Sequence, residues 1–394
     1  MATRRVLFYV QHLLGIGHLQ RAAALADGMT RVGLEVTLVT GGMPVPGLVI
    51  NAAHCVQLAP ASAADLSFKT LLDAQGRPVD DAWKDARRQQ LLDVWAGCMP
   101  DVLVIELFPF GRRQMRFELL PLLDAAWAHS PRPLIVSSVR DILGGGQADP
   151  ARADQMLATF DRYFDHVLVH GDGALVPFER SFRHAGRLGS RLHYTGYVVG
   201  TPADAARLPA HDPTPSSDSE VLVSVGGGAV GQRLLEVALA ARPLTSMRDR
   251  CWRLLAGVNM ADEDLARLRV LADMQPGVVV ERYRSDFTRL LARCRLSVSQ
   301  GGYNTVMEIL QARVPAVVVP FAGGAETEQA FRTRLLADRG WVETVEESTL
   351  DARTLALAID RAARRRLDPA ATVGLDGVAT TAALLSGWLE RRTP

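Results

Sequence analysis

One stretch, Leu296 to Gln329, leaves few options for the fold. It runs Leu-Ser-Val-Ser, then Gln300-Gly301-Gly302-Tyr303-Asn304-Thr305, then Val306-Met307-Glu308 and an apolar run to Ala312. Val314-Pro315 breaks that run, and Ala316 to Val319 follows as a continuous apolar segment closed by Pro320. Short apolar runs bounded by turn residues read as buried strands, and the segment between them has the length of a helix. The pattern is strand, glycine turn, helix, strand: a βαβ unit in a parallel sheet buried on both faces. The glycines remove the Cβ that would keep a ligand away from the backbone. The free amides of a helix starting near Asn304 make a site for an anion, and phosphate is the usual one. Glu308, read as first-turn, repels phosphate but can accept two hydrogen bonds from a ribose diol beyond it. Glu328 and Gln329, read as a loop after the next strand, sit where α/β sheets bind ligands and suit sugar hydroxyls. The competing reading is a plain turn, with Glu308 favouring the helix dipole.

Length sets the rest of the frame. A chain of 394 residues predicts two domains of ordinary size. With 48% hydrophobic and 22% charged residues it has apolar material for two cores. A net charge of +1 gives no bulk attraction to nucleic acid. Cys55, Cys98, Cys251 and Cys294 are scattered, which predicts neither zinc nor a disulfide framework and fits a reducing, cytoplasmic setting. The apolar run Val6 to Val10 reads as a first strand, being too short for a signal-peptide core. No stretch approaches the ~20 apolar residues that span a bilayer.

Arg5 to Val10 and Glu35 to Thr40 read as strands flanking a helix from His18 to Val32. Val102 to Ile105, Leu134 to Ser137 and Val167 to Val169 read as further buried strands. Ser62 to Gly97 reads as an insertion holding an Asp80-initiated helix with Trp83 and Trp95. Residues 201–219, with four prolines and a Ser-Ser-Asp-Ser run, read as an interdomain linker. A second set of strands follows at Val221 to Val225, Trp252 to Ala256, Val278 to Val280, Leu296 to Ser299 and Ala316 to Val319. Val378 to Leu389 is an amphipathic last helix. Alternating strands and helices in both halves predict α/β domains.

Gly226-Gly227-Gly228-Ala229-Val230-Gly231 satisfies the G-x-G-x-x-G pattern, so a dinucleotide is an obvious ligand. That fingerprint also wants an acid at the end of the second strand. Here the strand ends Leu255-Ala256-Gly257-Val258-Asn259, and Asp249 precedes it. Gln232 stands where a phosphate-loop lysine would be. One helix end supplies up to ~2 kcal/mol, whereas micromolar binding takes about 8 kcal/mol. A nucleotide ligand therefore needs several elements together. Asp262-Glu263-Asp264 reads as a helix start, not a metal site. Arg361 to Arg366 reads as a solvated basic run, with a membrane-surface role as the weaker reading.

Gln300 to Glu308 aligns without gaps on the His-Cys-Gly-Trp-Asn-Ser-x-x-Glu signature of UDP-glycosyltransferases, with Gly302, Asn304 and Glu308 matching. Thr305 replaces Ser and Tyr303 replaces Trp; Gln300 replaces the His that approaches a donor phosphate. The spacing from Pro320 to Glu328-Gln329 resembles the bacterial peptidoglycan-precursor N-acetylglucosaminyltransferases. The chain thus resembles GT-B nucleotide-sugar glycosyltransferases. The resemblance implies two Rossmann-like parallel-sheet domains facing across a cleft. Residues 1–200 would bind the acceptor, 220–373 the donor, and 374–394 would cross back. The implied donor contacts are Gly17, Gly226, Gly227, Gly228, Arg282, Tyr283, Gln300, Gly301, Gly302, Asn304, Thr305, Glu308, Glu328 and Gln329.

Gly15-Ile16-Gly17-His18 resembles the family's Gly-x-Gly-His segment, whose histidine is the general base. An attacking alcohol must lose its proton, and imidazole, with a pKa near ~6.5, suits that task. Glu106 occupies the place of the family's orienting Asp. Asp141 is the alternative base, His12 a lesser competitor, and His18 as a mere helix cap the plain reading. Phe108, Phe110, Arg112 and Arg140 are the acceptor-side candidates, aromatics to stack and arginines to meet an anion; packing plus a solvated charge pair is the competing and favoured role for residues 108–113, and a surface Arg–Asp turn the competing role for Arg140. The resemblance implies inversion and a UDP-sugar donor; with Asp262-Glu263-Asp264 read as a helix start, no metal or other cofactor is expected. It leaves open a same-fold hydrolase or epimerase, a non-catalytic nucleotide-binding module, and an NAD oxidoreductase.

Overall fold

The computed structural model describes residues 3–13, 15–45, 48, 50–52, 54–65, 69–143, 150–199, 220–225, 231–257, 260–282, 284, 286–321, 328–365 and 372–392. The chain divides into two compact units, residues 1–199 with 374–394, and residues 200–373. The 201–219 segment read as a linker lies outside the described residues.

Unit 1 is built on seven parallel strands: β1 (Arg5–Val10), β2 (Glu35–Thr40), β3 (His54–Gln57), β6 (Val102–Glu106), β7 (Leu134–Arg140), β8 (His166–His170) and β9 (Leu192–Tyr194). Their order is β3-β2-β1-β6-β7-β8-β9. Along β1 the faces alternate, as a strand's period of two requires. Leu7 and Tyr9 enter one core, Val6, Phe8 and Val10 the other. Helices α1 (Gly17–Arg31), α2 (Asp81–Cys98), α3 (Arg116–Ala128) and α4 (Pro150–Tyr163) connect the strands, and a small antiparallel pair, β4 (Ser62–Ala63) and β5 (Leu71–Leu72), precedes α2. Asp80 caps α2, its side chain accepting from the Trp83 N–H at 2.8 Å.

Unit 2 has six parallel strands: β10 (Val221–Ser224), β11 (Trp252–Ala256), β12 (Val278–Arg282), β13 (Leu296–Gln300), β14 (Ala316–Val319) and β15 (Glu343–Thr344), in the order β12-β11-β10-β13-β14-β15. Its helices are α5 (Gln232–Ala241), α6 (Asp262–Asp273), α7 (Phe287–Arg293), α8 (Tyr303–Ala312), α9 (Glu328–Asp338) and α10 (Ala352–Arg364). The last helix, α11 (Gly377–Arg392), belongs to unit 1, where Trp388 stacks on His166 at 3.9 Å. Arg361 and Arg365 in the basic run both pair with Glu343, tying α10 to β15. No helix among the described residues is long and apolar enough to cross a membrane.

Both sheets reverse direction of growth at one point, between β1 and β6 in unit 1 and between β10 and β13 in unit 2. At such a switch point the loops at the carboxyl ends part in opposite directions and leave room for a ligand. The fold therefore selects residues just after β1 and β6, and just after β10 and β13.

One buried polar network sits behind the first of these points. Glu118 takes two hydrogen bonds from Arg87, at 2.7 and 3.0 Å, and one from the Tyr9 hydroxyl at 2.5 Å. Arg87 also donates to Gln11 Oε1 at 2.6 Å and to the carbonyls of Gly41 and Ala59. The network links β1, α2, α3 and the loop after β2. Arg87→Met leaves Glu118 buried without its cation, so a loss of about 3–5 kcal/mol is expected. Chemical denaturation of the variant checks this.

Candidate active site

His18 is the second residue of α1, which begins at Gly17, one residue earlier than the sequence pattern places it. β6 extends to Glu106, which it holds fully buried. His18 Nδ1 lies 2.7 Å from Glu106 Oε1, and Arg21, one turn further along α1, donates to the same oxygen. Arg21 Nη2 also lies 3.3 Å from His18 Nδ1. Both nitrogens point hydrogens at one carboxylate, so that contact is not itself a hydrogen bond. Burial raises the Glu106 pKa, but His18, Arg21 and Arg112 outweigh it and hold the carboxyl well below its usual range. An ionised carboxylate only accepts. The proton of neutral His18 is therefore on Nδ1, and Nε2 carries a lone pair. Burial lowers the His18 pKa to about 3, with Glu106 opposing and Arg112 adding to the fall. The side chain keeps 16% of its surface exposed. The arrangement is an oriented neutral base at a switch point.

Arg112 has left-handed backbone, φ 57°, an uncommon state for a residue with a Cβ. Its Nε is buried without a partner. Arg140 ends β7, and its charge, like that of Arg112, acts on His18. These two arginines therefore belong to the surroundings of the His18–Glu106 pair.

Three expectations for unit 1 need correction. Phe108 and Phe110 keep only 1% and 3% of their surface exposed. Phe110 packs among Phe160, Phe178 and Phe182, so both rings are core, not stacking platforms. Asp141 has no exposed surface. Its Oδ1 accepts from the Ile142 N–H at 2.9 Å and its Oδ2 from the Tyr197 hydroxyl at 2.8 Å, so it faces inward and not toward a substrate. His12 is buried, with Nε2 2.9 Å from the Met43 carbonyl.

His170 gives no sequence signal. It is fully buried, with Nε2 2.8 Å from Ser138 Oγ and Nδ1 2.9 Å from Thr195 Oγ1. Burial lowers its pKa to about 3. The unfolded chain, at the ordinary histidine value of ~6.5, binds the proton that the native state refuses. Stability is expected to fall as pH drops from about 6.5 toward 3, by up to about 1.4 kcal/mol per pH unit for this residue. Denaturation midpoints between pH 4 and 7 should show a shallower slope for His170→Asn.

In unit 2, Gln300 ends β13 and Gly302 caps α8 with no side-chain hydrogen bond. The first-turn amides of α8 at Tyr303, Asn304 and Thr305 thus have no capping side chain from residue 302. A Cβ on Gly302 would meet nothing within 4 Å. On Gly301 it would lie 3.0 Å from Thr333 Oγ1, so Gly301 serves packing against α9 and not ligand approach. Glu308 is in the second turn of α8, not the first: it is the sixth residue of a helix starting at Tyr303. Burial raises its pKa to about 7. A cavity of about 530 Å³ opens at the carboxyl ends of β13 and β14, lined by Gly231, Gln232, Gln300, Val319, Pro320 and Phe321 among others; Gly302, Thr305 and Glu308 are not part of its lining. That volume is in the usual range for a small-molecule site.

Glu328 and Gln329 open α9 and do not form a loop. Glu328 accepts from Arg332 at 2.8 Å, and Arg332 lies over the Tyr303 ring at 4.9 Å. Gln329 Oε1 accepts from the Phe321 N–H at 3.1 Å, which leaves its amide hydrogens for another acceptor. Arg282 is engaged within unit 2, donating to the Met260 carbonyl at 2.8 Å and pairing with Asp262. It therefore ties the end of β12 to the start of α6. Gly226, Gly227, Gly228 and Tyr283 lie outside the described residues.

Residues 222–373 match the Glycosyltransferase family 28 C-terminal domain. A UDP-N-acetylglucosamine--N-acetylmuramyl-(pentapeptide) pyrophosphoryl-undecaprenol N-acetylglucosamine transferase of Nitrobacter hamburgensis is 28% identical over 189 residues, 47% of this chain and 50% of that protein. The match thus spans about half the length of that relative. The protein of the same name from Zymomonas mobilis subsp. mobilis is 25% identical over 365 residues, 90% of this chain and 83% of that one. Among solved structures, the calicheamicin glycosyltransferase CalG4 superposes with a TM-score of 0.64 at 17% identity, covering 100% of both chains. The chain has the GT-B fold of nucleotide-sugar glycosyltransferases, and its second unit carries the match to the family 28 C-terminal domain.

Proposed function

We propose that the protein is an inverting, metal-independent glycosyltransferase that moves a sugar from a nucleotide diphosphate, UDP by similarity, to an acceptor hydroxyl. The observation that carries this reading is His18, neutral and held by Glu106 at 2.7 Å beside the unit 1 switch point. The acceptor oxygen attacks the anomeric carbon while the bond to the diphosphate breaks. His18 Nε2 takes the hydroxyl proton, and Glu106 stabilises the imidazolium that forms. The charge that develops on the leaving diphosphate is met by the first-turn amides of α8 and the hydroxyl of Thr305. Glu308 accepts from the ribose diol, and Gln329 reaches the sugar with its amide hydrogens. Arg112 and Arg140 face the acceptor. The names of the curated relatives include a lipid-linked acceptor; for this chain the acceptor is a small molecule, a glycan or a lipid-linked sugar. The reading goes with a cytoplasmic location and no nucleic-acid partner.

A thermal-shift panel of nucleotides and nucleotide sugars tests the donor. UDP at a hundredfold excess over Kd is expected to stabilise the protein by ~2.7 kcal/mol. Incubation with UDP-sugar alone tests the class of reaction. Slow or absent sugar release is expected; rapid, stoichiometric release or epimer formation would make the protein a hydrolase or epimerase of the same fold. Chelators are expected to leave turnover unchanged.

A further inference from the structure

Unit 1 carries a second basic feature that the reaction above does not use. A small depression is lined by Arg113, Arg116, Arg152 and Gln155, together with Phe108 and Met156. Arg116 is the first residue of α3 and Arg152 the third of α4, so two helix amino ends border it. Met115, which precedes α3, makes no side-chain cap.

The cations here are not in the usual surface pairs. Asp154 and Asp161 of the same helix α4 are taken by Arg187 and Arg191. Glu118, in the first turn of α3, is taken by Arg87 and Tyr9. Among the described residues, neither Arg113, Arg116 nor Arg152 makes a side-chain hydrogen bond or ion pair. Arg152 Nε is buried in that state. Three unneutralised guanidiniums gathered at one place repel each other unless an anion joins them. Guanidinium forks and helix amino ends both match phosphate oxygens.

We propose that this depression binds a phosphate group. Its volume, about 10 Å³, admits one oxygen-sized group and not a sugar ring. The ligand therefore enters by a terminal or bridging phosphate, with the rest of the molecule outside. That the phosphate belongs to the acceptor rests on the reading of unit 1 as the acceptor side; the binding itself does not.

The test is calorimetric titration of the full chain with inorganic phosphate, comparing wild type with Arg113→Gln/Arg116→Gln/Arg152→Gln. Wild type is expected to show a phosphate site that the triple variant loses or binds at least tenfold more weakly. Arg113→Glu, at an exposed position, gives the same direction with little risk to folding. Equal phosphate affinity and stoichiometry in wild type and both folded variants would overturn the proposal. Sedimentation with phosphatidylglycerol vesicles, if it needs the arginines, gives the phosphate a lipid source; phosphate uptake without vesicle binding gives a soluble one. UDP affinity, measured on the same proteins, is expected to be equal in all. Absence of UDP binding in every one would sink the donor reading while leaving the phosphate comparison standing.

Discussion

Replacing His18 by alanine is expected to lower kcat for glycosyl transfer by about 10²–10⁴, the usual worth of a positioned general base, with UDP affinity unchanged. The loss should be in kcat because the imidazole acts on the proton released in the transition state, not on the nucleotide. Glu106→Gln is expected to cost as much or more, up to about 10⁴. An amide has hydrogens to present to Nδ1, which favours the tautomer with the proton on Nε2 and removes the lone pair. It also leaves the imidazolium without its counter-charge. The sign of the pH dependence follows from the lowered pKa of His18, about 3. The base is neutral throughout the neutral range, so kcat/KM should not titrate near pH 6.5 on its account and should fall only as pH approaches 3. A wild-type profile with a histidine step at pH 6–7, absent in His18→Ala, would contradict the buried, Glu106-held geometry.

The second large effect belongs to Glu308. Its carboxyl, pushed up to about 7 by burial, is half protonated near neutrality in the free protein. Two hydrogen bonds from a ribose diol need the ionised form, so UDP affinity is expected to rise with pH through 7. From pH 6 to 8 the ionised fraction grows about tenfold, and so should affinity. Glu308→Gln should flatten that dependence. Glu308→Ala should weaken UDP roughly a hundredfold, from about 3 kcal/mol of charge-assisted hydrogen bonding. Calorimetric titration of the three proteins at two pH values separates these outcomes.

Much of the fold was legible because its central strands are continuous apolar runs. β1, β6, β13 and β14 are buried almost throughout, and continuous apolar runs of four to six residues have the length of a strand in a parallel sheet covered on both faces. Of the edge strands, β12 was legible from Val278 to Val280, whereas β3 and β15 were not. β3 reads His-Cys-Val-Gln and is largely exposed, and β15 is two residues long; neighbours and not composition make them strands. At the candidate site, His18 was readable from the Gly-x-Gly-His segment that opens α1, and Glu106 from its place at the end of β6. The misreadings share one cause. Phe110 and Asp141 have side chains whose chemistry suits a ligand or the protein interior equally well. Which they meet is decided by partners distant in sequence: Phe178 and Phe182, and Tyr197. His170 lacks any local motif, since Ser138 and Thr195 reach it from neighbouring strands and loops. The placing of Glu308 in the first turn came from starting the helix near Asn304; it starts at Tyr303, which makes Glu308 the sixth residue.

The central claim is that unit 2 grips a donor by its nucleotide, with the Glu308 carboxylate on the pentose. A crystal structure with UDP bound tests it most directly. Both ribose hydroxyl oxygens should lie within about 3.2 Å of the Glu308 carboxylate, with the diphosphate at the first turn of α8. A nucleotide bound elsewhere, with Glu308 turned to the core or to bulk water, would contradict the account.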